Sequence, residues 1–484
     1  MSNELTNLKP AVLWKNFEGI CGVPHPSKKE EMIRQFLINF GNKHKLETIV
    51  DEVGNVIIKK PATPGMENVK GVVLQGHIDM VPQKNSDIVH DFENDPIQAY
   101  VDGEWVKARG TTLGSDNGIG VAAAMSVLEA NDISHGPVEA LFTVDEETGM
   151  TGAFGLKPGI LKGDILINMD SEDEGELYIG CAGGVNTNMK FHYSEVPVPA
   201  GSAAYKISIT GLKGGHSGID IPLGRGNSNK IINRLFWHAT ADFGLRISNI
   251  DGGSLRNAIP REAFAVVTIP ENNKEKFETF VKEFEQTIKS ELGKVDPNFQ
   301  IELSSVELPA TLIDETTQGK LINTVYACPN GVIGMIADMP DVVETSTNLA
   351  IVKSENGIIE IYTLQRSSVN SKKDDLATMV RCVFETAGAE VEHSGTYPGW
   401  KPNLDSPVLV TMKNVYNNKF GKIPDVKIIH AGLECGLIGD VYPEMDLISF
   451  GPTIRNPHSP DEMVNIKSVE MFWDFLVATL ESIE

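Results

Sequence analysis

The sequence is poor in three things whose scarcity narrows its function. Five cysteines (Cys21, Cys181, Cys328, Cys382 and Cys435) are scattered over 484 residues, odd in number and without a CxxC pair. That excludes a disulfide framework and a thiolate zinc site, and it suits a reducing cytoplasm. Basic residues are the second shortage: 42 Lys and Arg stand against 66 Asp and Glu, for a formal net charge of −24 at pH 7. Nucleic acid and anionic membrane both demand basic patches, so neither is an expected partner. The third is long apolar runs. Nowhere do about 18 apolar residues follow one another, which argues against a transmembrane helix. MSNELTNLKP also lacks the basic-then-apolar pattern of a secretory leader.

What is present is ordinary for a globular chain, with 41% hydrophobic and 22% charged residues. Its length calls for about two or three domains. Over the first 180 residues or so, strand and helix signals alternate: VVLQ (72–75), the alanine-rich GIGVAAAMSVLEA (118–130), VEALFTV (138–144) and GDILINMD (163–170). Alternation of this kind predicts an α/β layer with a central mixed sheet flanked by helices. From about 188 the character changes to strands separated by long amphipathic segments. In KEKFETFVKEFEQTIKSEL (274–292), Phe277, Phe280, Val281 and Phe284 recur at helical spacing on one apolar face. Segments 254–284 and 345–384 share an order of features (Asn, strand, polar loop, amphipathic helix), which suggests an internal duplication. SGTYPGWKPNLDSP reads as a linker, after which α/β character returns. The predicted architecture is an α/β domain over 1–187 and 397–484, interrupted by an inserted α+β domain over 188–396.

Chemistry-bearing residues gather where the predicted strands end. VVLQGHIDM gives His77 and Asp79, TTLGSDNGIG gives Asp116, LFTVDEETGM gives Glu146 and Glu147, LINMD gives Asp170, and ISFGPTIRNPHSPDE gives His458. Loops beyond the carboxyl ends of parallel strands are where α/β proteins build sites. Singly, each has a plain explanation: Asp116 as a helix N-cap, Asp170 as a turn residue, either His as a hydrogen-bonded structural group. Together they do not, because so many acids converging on one place repel unless something positive sits among them. Two His and several carboxylates form a mixed N/O set suited to zinc, manganese or cobalt. Two divalent ions can share a bridging carboxylate and lower the pKa of a bound water toward about 7. In an extended segment neighbouring side chains diverge. Glu147 can then bind metal while Glu146 faces the water as general base.

GHIDMVPQ, TTLGSDNGIG, DEETGMTGA, NMDSED and NPHSPDE, in that order, resemble the motifs of the di-zinc peptidase family of aminoacylases, glutamate carboxypeptidases and carnosinases, and within it the aminoacyl-histidine (Xaa-His) dipeptidase branch. The resemblance spans most of the chain. It implies that Asp116 bridges both metals and that the Asp116–Asn117 peptide is cis. His77 and Asp170 complete one metal, Glu147 and His458 the other. Asp79 orients His77 through its second ring nitrogen, and Glu146 is the base that later protonates the leaving amine. The inserted domain corresponds to the family's lid. GGHSG makes His216 the oxyanion donor, NAIP makes Asn257 a substrate contact, and YTLQRSS makes Arg366 the partner of the substrate carboxylate. That arginine comes from the second half of the repeat because AVVTIP in the first half has none. The glycine-rich HAGLECG places Gly432 near the same carboxylate, with backbone N–H groups as donors. His430 and Glu434 flank it, but close approach needs only the glycines.

The reading is a cytoplasmic di-metal dipeptidase for small unblocked dipeptides, Xaa-His among them, carrying two divalent ions per chain. Zn2+ is the first expectation, with Co2+ or Mn2+ serving the same ligands, and the chain is a monomer or homodimer. An N-acyl-amino-acid amidohydrolase would share the metal site and differ in the lid. A dinucleotide-binding oxidoreductase fails because Asp116 lies where a pyrophosphate would approach and the glycines do not follow GxGxxG. An inert scaffold would show gaps among the ligands, and there are none.

Overall fold

The computed structural model describes residues 4–484. Two compact units emerge among them, one of 4–181, 400–428 and 433–484, the other of 182–399 with 429–432. The passage into the second unit thus falls at Ala182, earlier than the change of composition near 188. Gly183–His192 is already a strand of the second unit's sheet, and Glu390–Tyr397 pairs with it antiparallel. Part of the expected linker is therefore an edge strand. The return of four residues, 429–432, has no compositional mark.

The first unit is built on an eight-stranded sheet. Its order is Glu47–Val50, Val56–Lys60, Val138–Thr143, Val72–His77, Ile165–Asn168, Asp446–Ser449, Glu176–Cys181 and Asp425–Ile429. The four central strands run parallel, with His77 opposite Thr143, Gln75 opposite Asn168, and Ser449 opposite Asn168. Central parallel strands are covered on both faces, which is why Val72–His77, Val138–Thr143 and Ile165–Asn168 are buried throughout and read as short apolar runs. Their shared direction brings His77, the 144–147 turn and Asp170 to one end of the sheet. The helix Ser115–Glu129 is buried on nearly every side, and its alanines let it lie close to its neighbours. It delivers Asp116 in its first turn. A four-stranded sheet of Ile454–Arg455, Met463–Asn465, Trp105–Ala108 and Ala99–Asp102 carries the chain around His458.

The second unit is a nine-stranded sheet containing Gln300–Val306, Ser202–Thr210, Ala263–Pro270, Arg246–Gly252, Met339–Glu355, Ile358–Ser367, Gly183–His192 and Glu390–Tyr397, with Gly331–Ile336 beside Met339–Glu355. Its pairings are antiparallel. The alternating burial of Gly183–His192 is what one covered face produces. Lys274–Leu292 is the predicted amphipathic helix, burying Phe277, Val281, Phe284 and Ile288 with Phe280 at the margin. The two suggested repeats each contain a strand leading to a helix, Ala263–Pro270 to Lys274–Leu292 and Ile358–Ser367 to Asn370–Thr386. Their asparagines are not in equivalent settings: Asn257 lies in a turn and Asn348 inside a strand.

Candidate metal centre and active site

His77 ends its strand almost fully buried, and its Nδ1 lies 3.0 Å from the backbone carbonyl of Asp79. A proton on Nδ1 leaves Nε2 as a bare lone pair. That nitrogen faces Asp116 Oδ1 at 3.1 Å and Asp170 Oδ1 at 3.3 Å. A second imidazole repeats the pattern, with His458 Nε2 3.3 Å from Asp116 Oδ2 and 3.0 Å from Glu147 Oε2. Asp116 thus turns one oxygen to each cluster. Lone pairs aimed at carboxylate oxygens are stable only around something positive, whether protons or cations. Glu147 Oε1 and Asp170 Oδ1 are in addition buried without hydrogen-bond partners. The ligand atoms of each triad, His77–Asp116–Asp170 and Asp116–Glu147–His458, lie within 4.8 Å of one another. The donor set therefore fits two divalent cations sharing Asp116.

Without a cation the site holds protons instead. Asp116 and Glu147 push the His458 imidazole up to about 11. Burial alone would raise Asp116, yet His458 and His77 hold its carboxyl well below the usual carboxylate range. Burial pushes Asp170 up to about 7 against the pull of His77. A cation entering here must displace these protons.

The run of acids has a different local geometry from an extended strand end. Glu146–Gly149 is a single helical turn, with Asp145 before it in the left-handed region at φ 53°. Divergence comes from the roughly 100° step between helical neighbours. Asp145 accepts from the hydroxyls of Thr148 and Thr151, while Glu147 joins the second triad. Glu146 lies within 4.8 Å of His77 and Glu147 but makes no ion pair with the imidazole. Burial, with the Asp170, Glu434 and Glu147 carboxylates adding to it, pushes its carboxyl well above the usual range, against the pull of His77. A basic carboxylate beside the candidate ligands is what a proton acceptor needs. Asp79 stands at the second ring nitrogen of His77, where the motif puts it, and does more besides. The ring's contact is to its backbone carbonyl, and Asp79 Oδ1 stands 3.4 Å from His77 Nδ1. The carboxylate also accepts from the N–H groups of Glu146 at 2.9 Å and Glu147 at 3.2 Å. One residue thus fixes both the first imidazole and the acid pair. The Asp116–Asn117 peptide is cis, as the motif implies.

Within the second unit, His216 Nδ1 accepts from the N–H groups of Gly218 and Ile219 at 3.1 and 3.0 Å. Burial and the Arg366 guanidinium lower its pKa, so the ring is neutral with its proton on Nε2. Gly218 is needed here because a Cβ would lie 1.9 Å from the His430 carbonyl oxygen. Arg366 is 5% exposed, donates to Tyr397 Oη at 2.8 Å and makes no ion pair among the described residues. A buried guanidinium lacking a counter-ion calls for an anion. Asn257 is exposed, and it is its backbone carbonyl that takes part, accepting from Ser217 N–H at 2.8 Å. Gly432 lies in the 429–432 return, beside His430, whose Nε2 meets Ser346 Oγ at 2.7 Å.

Two buried carboxylates were given no role from sequence. Glu434 Oε2 accepts from Gln75 and Thr143 at 2.6 and 2.8 Å, which lie near the ends of the strands that lead to His77 and Glu146. Glu462, at the end of NPHSPDE, meets the turn that carries Asp116. The motif contained it, but only the fold shows what it touches.

Residues 73–482 match the model of peptidase family M20/M25/M40. The cytosol non-specific dipeptidase of Escherichia coli (strain K12) is 47% identical over 481 residues, covering 99% of each chain. The crystal structure of aminoacylhistidine dipeptidase from Vibrio alginolyticus superposes with a TM-score of 0.95 at 49% identity, over 100% of this chain and 99% of that one. An aminopeptidase structure from Bacillus cereus, at 17% identity and TM-score 0.58 over 98% and 99% of the two chains, shares the fold.

Proposed function

The chain belongs to peptidase family M20/M25/M40, and from that premise we propose that it is a metal-dependent dipeptidase cleaving unblocked dipeptides, Xaa-His among them. The observation that carries the reading is Asp116, whose two oxygens each face the free nitrogen of a different buried or half-shielded imidazole. The full-length relatives with this architecture are a cytosolic non-specific dipeptidase and an aminoacylhistidine dipeptidase. The cytosolic relative supports a cytoplasmic setting, and no helix among the described residues is long and apolar enough to cross a membrane.

His77 and Asp170 would hold one divalent ion, Glu147 and His458 the other, with Asp116 common to both. Zinc suits this N/O set best. Bound there, such ions supply Lewis acidity for the scissile carbonyl and lower the pKa of water. The remaining work falls to the chain. Glu146 takes the proton of the attacking water as its oxygen bonds to the carbonyl carbon. When the C–N bond breaks, the same carboxyl gives that proton to the departing amine. Asp79 keeps Glu146 in place through the backbone N–H it accepts. His216, neutral and with Nε2–H to donate, is suited to the oxygen that gains charge in the tetrahedral intermediate, and Arg366, Gly432 and Asn257 to the carboxylate of the leaving residue.

The test is release of free histidine from an unblocked Xaa-His dipeptide by metal-loaded protein, with a chelated sample beside it. Release abolished by chelation is expected. Release that survives full metal removal contradicts the reading, and no release with metals confirmed bound turns it toward an N-acyl-amino-acid amidohydrolase.

A further inference from the structure

Glu462 is 2% exposed and lies four residues after His458. Its Oε2 accepts from the N–H groups of Leu113 at 2.7 Å and Gly114 at 3.0 Å. Its Oε1 accepts from Ser115 N–H at 2.8 Å, from Ser115 Oγ at 2.6 Å and, at 3.4 Å, from Asp116 N–H. Successive N–H groups aimed at one point form a concave anion site. Gly114, in the left-handed region at φ 71°, gives the turn that shape. Here the anion is a side chain of the same protein, reaching across 346 residues of sequence from Asp116.

The other end of Glu462 is tied to His458. Its own N–H donates to Ser459 O at 3.0 Å, and Asp461 N–H donates to Ser459 Oγ at 3.1 Å, closing the turn that follows His458. The two ligands that this carboxylate links, Asp116 and His458, face one another at 3.3 Å. Asp116 also serves His77. A shift of the 113–116 turn would therefore disturb both triads, and a shift of the 458–462 turn would disturb one. Nothing places Glu462 among the reacting groups: its oxygens are occupied by the donors just named.

We infer that Glu462 is a positioning residue for the metal centre, locking the Asp116 turn to the His458 turn and thereby setting the affinity of the centre for its cations. The inference rests on the di-metal reading. Its negative charge also favours cations nearby, so geometry and charge act in the same direction. Glu462→Gln keeps the size but aims an NH2 group at N–H donors, leaving some of them unpaired.

The experiment compares the parent chain with Glu462→Gln and Glu462→Asp. Co2+ affinity is measured by competition with a chelator, the visible Co2+ spectrum is recorded, and dipeptide hydrolysis is followed as Co2+ is raised. For Glu462→Gln the dissociation constant should rise about 10–100-fold, the range for carboxylates that support metal ligands. The Co2+ bands should shift, KM for dipeptide should stay unchanged, and kcat should return to near the parent value at saturating Co2+. Glu462→Asp, still anionic but one methylene shorter, should fall between the two, and it carries the test if the Gln variant does not fold. Parent-like affinity in a folded variant overturns the inference, as does weakened binding with turnover that saturating Co2+ does not restore. A parent chain that binds no Co2+ overturns the di-metal reading and this inference with it, and is recognised without any variant.

Discussion

Glu146→Gln is expected to lower kcat for an unblocked dipeptide about 10²–10⁴-fold, the range carried by a well-placed general acid–base group, while both cations stay bound. Three observations fix this expectation. Glu146 makes none of the close contacts to imidazole that mark Glu147 and Asp116. Its carboxyl is pushed well above the usual carboxylate range, chiefly by burial, so it is disposed to take a proton. Its backbone is pinned by Asp79, so the isosteric amide should sit where the acid did. Metal content by elemental analysis separates this outcome from a ligand defect. Normal turnover in the metal-replete variant would show that another group moves the proton. Glu147→Gln, by contrast, should lose affinity for the cation at the His458 triad and recover activity only in part at high metal.

Asp116→Ala should be the most damaging single change. The residue supplies an oxygen to each imidazole pair, at 3.1 and 3.3 Å, so its removal takes a ligand from both clusters at once. Changes in the groups that merely support ligands cost about 10–100-fold in metal affinity, and loss of a shared ligand should exceed that at both sites. Hydrolysis should be undetectable at metal concentrations that saturate the parent. Two carboxylates, Glu147 and Asp170, would remain facing His458 and His77, so the variant should still fold. Equilibrium dialysis reads the effect directly. If one cation still bound with parent affinity, Asp116 would not be shared.

The proposed metal ligands were legible because of where they fall. Each of His77, Glu147 and Asp170 closely follows a short apolar run, and those runs became adjacent parallel strands. A parallel sheet gathers its carboxyl ends, so order along the sequence converts into proximity. Glu462 was not legible, because its meaning lies in hydrogen bonds to a turn far away in the chain. The role of Asp79 was half legible. Proximity to His77 follows from sequence spacing, but use of its carboxylate on the N–H groups of Glu146 and Glu147 depends on how two strand ends meet. The helical turn at Glu146–Gly149 was hidden behind an acidic run that reads equally well as the end of a strand. The excursion of 429–432 into the second unit leaves no trace in composition, since four residues carry too little pattern. The neutral state of His216 and its Nε2 proton come from two backbone donors that only the folded turn supplies.

The central claim is a pair of cations sharing one carboxylate, and the number of divalent ions bound per chain tests it most directly. Calorimetric titration of metal-free protein with Zn2+ at neutral pH, in buffers of different protonation enthalpy, reads stoichiometry and proton release together. Two ions per chain are predicted. Protons should be released on binding, because the His458 imidazole, held up to about 11, is charged in the metal-free chain and must lose its proton to act as a ligand. A single ion per chain, or saturation without proton release, would contradict the account.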